Sequence, residues 1–285
     1  MRSRTGFFGV PDEETRPVYT TRQEQLRAAI TSPFSGGLLR LRLTSLFLEM
    51  QDSGAFVRNL LYIDARDLSF TGEPDGKHKA VLDVVVLAFD EQGNSVDENS
   101  KTYQIELNDD QYRIAIDNGF LDMLELPIKK PGAYQVRAAV RDANSSKIGT
   151  ANQFLEVPDL KKGRLTLSSI LVAEAAQPTT RLFSPGTTIH YTYRVFNARG
   201  DKADGHSRLD SRVLLLQDGK AVFTGPLASA DVKKSDRFQV SGALNLPHSM
   251  AAGAYVLEAI VTDRLAREKY ATATQTMDLE VAPAR

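Results

Sequence analysis

The chain has 285 residues, of which 42% are hydrophobic and 25% charged, with 35 basic against 36 acidic side chains and no cysteine. That length suits two domains of ordinary size and that composition is globular. A net charge of −1 supplies no field to gather nucleic acid or anionic lipid; the missing cysteine excludes disulfides, thiolate metal sites and cysteine nucleophiles; and no run reaches the ~18 apolar residues that a membrane-spanning helix needs.

Residues 1–37 read as an extension. Met1 is followed by Arg2, Ser3, Arg4 and Thr5, unlike a secretory signal, and Pro11 to Arg16 is acidic and punctuated by proline. Within 1–37 a helical pattern occurs only from Thr20 to Ser32. Thr21 and Glu24 form a capping box, Leu26, Ala29 and Ile30 recur at helical spacing, and Ser32-Pro33 stops the helix. Its narrow apolar stripe is expected to pack on the first β domain or on something preceding Met1.

After Gly36-Gly37 the pattern changes to short runs of Val, Ile, Leu, Tyr and Phe separated by Gly, Pro, Asp and Asn. Strands are predicted near 39–49, 58–67, 79–89, 101–107, 120–126, 133–142 and 148–157. A second series follows near 164–173, 187–197, 211–217, 220–224, 236–246, 254–263 and 270–281. Asp218-Gly219 between two apolar runs predicts a type I′ hairpin.

The two series repeat one motif. Arg40 to Leu46 corresponds to Arg164 to Ile170, and Phe89-Asp90 with Gly93 to Phe196-Asn197 with Gly200. Leu124-Glu125-Leu126-Pro127 and Gly132-Ala133-Tyr134 correspond to Leu244-Asn245-Leu246-Pro247 and Gly253-Ala254-Tyr255. Phe154 to Val157 answers Asp278 to Val281. Alternation places Tyr134, Val136, Ala138 and Val140 on one face, with the tyrosine locking a corner as in immunoglobulin-like sandwiches. The expectation is an all-β chain of two tandem immunoglobulin- or fibronectin-III-like β-sandwiches, spanning 38–158 and 164–285, joined by a polar linker at 159–163 and preceded by the short helical extension.

These residues, with Arg2 to Gly9 and Tyr62-Ile63-Asp64-Ala65-Arg66-Asp67-Leu68, resemble the C-terminal β-rich part of the von Willebrand factor A-related proteins of acidobacteria. The resemblance implies an A domain upstream, export, and adhesion or protein interaction in place of catalysis. The A domain itself is missing from this sequence, as is its metal-site string Asp-x-Ser-x-Ser. The nearest string, Asp142-Ala143-Asn144-Ser145-Ser146, reads as a turn and, at Asn144, as a weak glycosylation sequon.

Other candidates are weaker than their structural readings. His78, His190, His206 and His248 lie in separate segments without zinc-ligand spacing. His206-Ser207 with Asp204 and Asp210 has the letters of a hydrolase triad but reads as one polar loop. Asp90, Glu91, Asn94, Asp97 and Glu98 hold oxygens for a weak calcium site but read as a solvated hairpin loop, and Glu106, Asp109 and Asp110 as solvated charges. Tyr191, Tyr193 and Phe196 form either a carbohydrate or peptide platform or a core-facing strand, the latter favoured. Lys161-Lys162 and Lys233-Lys234 are too small for a phosphate stripe. No catalytic, cofactor-binding or metal-ligating residue is assigned. The function expected is a non-catalytic structural or interaction module with a protein or glycan partner; the alternative is a carbohydrate-binding or carbohydrate-active accessory domain.

Overall fold

The computed structural model describes residues 19–32, 37–50, 54–72, 76–128, 130–174, 177–178, 181–233 and 237–283. The Arg2–Gly9 and Pro11–Arg16 segments lie outside them. Helix α1 (Arg22–Thr31) starts at the predicted capping box: the Glu24 amide donates to the Thr21 hydroxyl at 3.2 Å, and the Thr21 amide to the Glu24 carboxylate at 3.0 Å.

The first sandwich is built from β1 (Leu41–Met50), β2 (Gly54–Ile63), β3 (Thr71–Gly72), β4 (His78–Phe89), β5 (Ser95–Leu107), then helix α2 (Asp109–Asn118), β6 (Phe120–Leu126), β7 (Gly132–Asp142) and β8 (Ile148–Val157). One sheet runs β1-β2-β6; the other runs β5-β4-β7-β8, with β3 at the end of β4. The second sandwich contains β9 (Thr166–Leu167), β10 (Leu171–Glu174), β11 (Gln177–Pro178), β12 (Leu182–Phe183), β13 (Thr188–Phe196) and β14 (His206–Gln217). It continues with β15 (Lys220–Thr224), β16 (Ala228–Lys233), β17 (Arg237–Asn245), β18 (Gly253–Asp263) and β19 (Thr272–Val281). Its sheets are β10-β13-β17, flanked by β9 and β11, and β14-β18-β19, with β15 and β16 sharing the free edge of β14 and β12 parallel to β19. Both halves therefore have one strand order, in which the first, second and fifth main strands face the third, fourth, sixth and seventh. An immunoglobulin constant domain has its fourth strand on the opposite sheet, so both halves are sandwiches of that general kind with the fourth strand switched.

Each half encloses its own core. Tyr134, Val136, Ala138 and Val140 of β7 pack with Leu43, Phe47, Val57 and Leu61 from the opposite sheet. Tyr255, Leu257, Ala259 and Val261 of β18 pack with Ile189, Tyr193 and Leu244. Fully burying one such aliphatic or aromatic side chain stabilises by about 1.5–3 kcal/mol. The outer face of the β4–β7 sheet is also apolar, and α1 covers it with Leu26 and Ile30 over Val85, Leu87 and Ala139. This resolves the packing of the extension in favour of the first sandwich.

Two polar locks recur in both copies. The Tyr134 hydroxyl donates to the Lys130 carbonyl at 2.7 Å and that of Tyr255 to Ala251 at 2.8 Å; Gly132 and Gly253 have φ of 155° and 145°. At the far end of the same strands, Asp142 and Asp263 are buried. The Ser69 amide donates to Asp142 at 2.9 Å and the Arg199 amide to Asp263 at 2.7 Å, so each carboxylate ties its hairpin to the loop after the second main strand.

Several expectations need correction. Phe89-Asp90 closes β4, whereas Phe196-Asn197 closes β13, so these are not equivalent strands; the partner of β4 is β14. Phe196 instead enters the first core, and the Asn197 amide group donates to the carbonyls of Leu160 and Arg164 at 2.9 and 3.2 Å, which holds the linker. The strand expected at 164–173 breaks into β9 and β10, and the Ser168 hydroxyl between them accepts from the Arg194 amide at 2.9 Å. Asp109 and Asp110 are solvated charges just past β5, as expected, and they also form the first turn of α2, which Asn108 and Gln111 cap reciprocally. Asp218 and Gly219, with φ of 51° and 74°, form the predicted tight hairpin.

Tyr134→Phe and Tyr255→Phe should each lower unfolding free energy by about 1 kcal/mol, and the alanine variants by about 3–5 kcal/mol, measured from urea midpoints. Unchanged midpoints in all four variants would contradict the corner assignment.

Candidate functional site

Strand β1 pairs with β2 on one side only, so the peptide groups of residues 43, 45, 47 and 49 point away from their own sheet. Side chains complete that edge. The Arg181 guanidinium donates to the Leu43 carbonyl at 2.8 Å and to the Thr44 hydroxyl at 3.1 Å. Gln153 of β8 accepts from the Ser45 amide at 2.8 Å and donates to the Ser45 carbonyl at 3.2 Å. The Phe47 amide donates to the Ser169 hydroxyl at 2.9 Å, and Arg194 donates to the Glu49 carbonyl. Three of these four residues belong to the second sandwich, so the edge of β1 is the seam between the two.

Two surface grooves flank this seam, with volumes of about 570 and 520 Å³. Both arginines that line them are engaged. Arg42 pairs with Glu280 at 2.6 Å, and Arg181 faces Asp278 while burial holds its guanidinium below the usual arginine range. A guanidinium stays protonated even so. The grooves present strand edges and one closed ion pair, and the described carboxylates that line them, Glu156, Asp278 and Glu280, are exposed.

The sequence-level candidates fall elsewhere. Asp142 accepts from the amides of Ser69 and Asn144 and from the Ser145 hydroxyl, which is the turn reading. Asp90 accepts from the amides of Gln92 and Asn94 at 3.0 and 2.8 Å, closing the hairpin, while Asp97 and Glu98 belong to β5 and not to the loop. His206 and Asp210 likewise lie in β14, against the polar-loop expectation. His206 bonds Asp231 at 2.8 Å, and Arg208 bonds Asp201 and Asp204 at 2.6 and 2.5 Å. Ser207 points to the opposite face, buried, so the triad letters are split across the sheet. His78 stacks on Tyr112 at 4.0 Å and bonds Asp109 at 2.8 Å. Among the described residues no three His, Asp or Glu side chains converge as metal ligands.

Tyr193 is 2% exposed, and burial pushes its hydroxyl up to about 12. Tyr191 is half-buried over Gly242, where any Cβ would collide with the ring. This strand faces the core and offers no aromatic shelf. Sequence reading found β15 but missed β16 and the apolar outer edge the two form, where Val222, Phe223 and the intervening Leu227 are 53%, 41% and 62% exposed. The alternation of apolar residues around Gly225-Pro226 was the available signal.

The turn after β2 concentrates charge. Asp64 accepts from Arg66 at 2.6 Å and Asp67 from Arg40 at 2.9 Å, and these bonds hold both carboxyls below the usual carboxylate range against the opposing effect of burial. Depressed folded-state values mean that their contribution is complete above the unfolded value of about 3.9 and is lost as pH falls through the folded value. Asp67→Asn should therefore lower the urea midpoint at pH 7 and converge with the parent in acid; a constant difference across the titration would contradict this. Gln153→Ala should accelerate hydrogen exchange at Ser45 by removing its acceptor while the core amides of β7 stay protected; unchanged exchange at Ser45 would contradict the edge assignment.

Neither known protein families nor curated proteins give a match to this sequence. Solved structures that resemble it include a mutant of Salmonella alpha-2-macroglobulin, at 13% identity and a TM-score of 0.28 over 86% of this chain and 16% of that one. Another is Bacteroides uniformis beta-glucuronidase, at 11% identity and a TM-score of 0.29 over 80% of this chain and 26% of that one. The chain thus spans about a sixth and a quarter of those proteins, and the β-sandwich fold stands on its own strand order.

Proposed function

We propose that the chain is a non-catalytic protein-interaction module, in which two β-sandwiches are held at a fixed seam to display the surfaces of the second. The observation that carries this reading is the use of both arginines lining the seam grooves in interdomain bonds, Arg42 to Glu280 and Arg181 to Leu43. Side chains already committed to holding two domains together are poor candidates for acid–base work on a substrate. The recognition mode is strand addition at β15 and β16, an edge with outward backbone groups and exposed apolar side chains. Among the described residues no helix is long and apolar enough to cross a membrane.

We also read the chain as the β-rich part of a von Willebrand factor A-related protein, on the Tyr62–Leu68 and repeat motifs. An in-frame A domain with Asp-x-Ser-x-Ser in the upstream coding sequence is the expected finding, and an unrelated upstream frame removes this reading.

The interaction reading is tested by placing a photocrosslinking phenylalanine at Val222 and, separately, at Asn152 in the seam groove, in the source cells. A discrete protein adduct from position 222 and none from position 152 is expected. A polysaccharide adduct, or glycoside turnover by the purified chain that Asp231→Asn abolishes, would overturn it.

A further inference from the structure

The two copies differ on the outer face of the sheet formed by the third and sixth main strands. In the first sandwich the cross-strand rungs there are Phe89–Gln135, Leu87–Arg137, Val85–Ala139 and Asp83–Arg141. Counting from the corner tyrosines, the matching rungs of the second are Leu216–Val256, Leu214–Glu258, Arg212–Ile260 and Asp210–Thr262. Each face carries four apolar side chains, and each ends in an aspartate at the same place. Among the described residues only the first is covered by a helix: Val85, Leu87 and Ala139 are buried together with Ile30 of α1. Leu214, Leu216, Val256 and Ile260 are half-buried, with no helix over them among the described residues.

The charges also differ, and they carry directional information. On the first face α1 runs with Arg22 beside Asp83 at 3.2 Å, and its C-terminal carbonyls, Ile30 and Ser32, accept from Arg137 at 3.1 and 3.2 Å. A guanidinium under the carbonyl end and a carboxylate under the amide end match the helix dipole. On the second face the position of Arg137 is taken by Glu258, which has no hydrogen-bond or ion-pair partner among the described residues, and Arg212 lies one rung away toward Asp210. Asp210 is already engaged by the Ser229 hydroxyl at 2.6 Å and by Arg264 at 3.6 Å. The order of free charges along the strip is therefore reversed.

We propose that the outer face of β14 and β18 is a docking surface for an amphipathic α-helix of a partner protein, laid opposite in direction to α1 on the first sandwich. Its amide end sits over Glu258, its carbonyl end toward Arg212, and an apolar pair spaced as Leu26 and Ile30 are spaced in α1 fills the strip between Leu216 and Ile260. The helix α1 of a second copy is already buried on its own first sandwich, which leaves this face to a foreign helix. This rests on the interaction-module reading but uses side chains of a sheet face, whereas strand addition uses the backbone of β15 and β16.

The test is a methyl and amide NMR titration of the full chain with a synthetic helical peptide bearing leucines at i, i+4 and i+7, lysines in its first turn and a spin label at either end. Shifts are expected at Leu214, Leu216, Val256 and Ile260, with the amino-terminal label broadening the Glu258 region. Glu258→Gln should weaken binding about two- to fivefold, and Ile260→Asp should abolish it; Glu258 is a half-buried surface side chain, so the first variant reports even if the second is unstable. Silence at those methyls up to about 1 mM peptide, broadening of Glu258 by the carboxy-terminal label, or concentration-dependent self-association mapping to the same methyls would overturn the proposal. Shifts confined to β15 and β16 would overturn it while leaving the interaction-module reading intact.

Discussion

A strand paired on one side only leaves a row of amides and carbonyls that must find partners, and β1 lies where the two sandwiches meet. Leaving one such buried group unpaired costs about 1–3 kcal/mol, so four adjacent rungs could not go unsatisfied in a marginally stable domain. The solution is a row of side chains, Arg181, Gln153, Ser169 and Arg194, each bonding a successive outward peptide group or its neighbour. The same bonds that finish the first sheet fix the position of the second sandwich. Arg181 and Arg194 are thereby structural residues of a domain to which they do not belong. With Phe196 in the first core and Asn197 on the linker carbonyls, they leave the pair little freedom to hinge.

Duplication accounts for what is alike in the halves, and the environment of each half for what is not. The corner tyrosine and the buried aspartate sit at opposite ends of the same strand in both copies, and each makes its bond to an equivalent loop. Such groups are retained because a buried polar atom without its partner is destabilising, whichever copy it is in. The link between the fourth and fifth main strands is free of that constraint, and there the first copy carries α2 while the second uses the short strand β16.

Legibility followed burial. The limits of β6, β8 and β15 coincide with the sequence reading because their alternation ends at Pro, Gly or Asp. The Gly-Ala-Tyr repeat was readable because both copies use it for one geometric purpose. Helix α2 was missed although Asn108 and Gln111 form a reciprocal cap, since only ten residues separate that cap from Gly119 and the flanking strands dominate the pattern. The false match of Phe89-Asp90 with Phe196-Asn197 arose because an aromatic followed by Asp or Asn marks the end of any strand, not one particular strand. The seam was invisible because its partners, such as Ser169 and Phe47, lie far apart in the chain and meet through the Phe47 backbone amide, which no side-chain pattern marks. The helix-accepting face of the second sandwich needs the cross-strand rungs before Leu214 and Ile260 can be seen as neighbours.

Immunoglobulin-type sandwiches often carry a sulfur bridge between their sheets. Here that position is held by packing, and the carboxylates of Asp142 and Asp263 secure the loops without a covalent bond. A fold closed by amide–carboxylate contacts needs no oxidant to mature and loses nothing to a reductant. Its assembly is thus indifferent to the thiol chemistry of the surroundings, and the same chain can reach its native state on either side of a redox boundary.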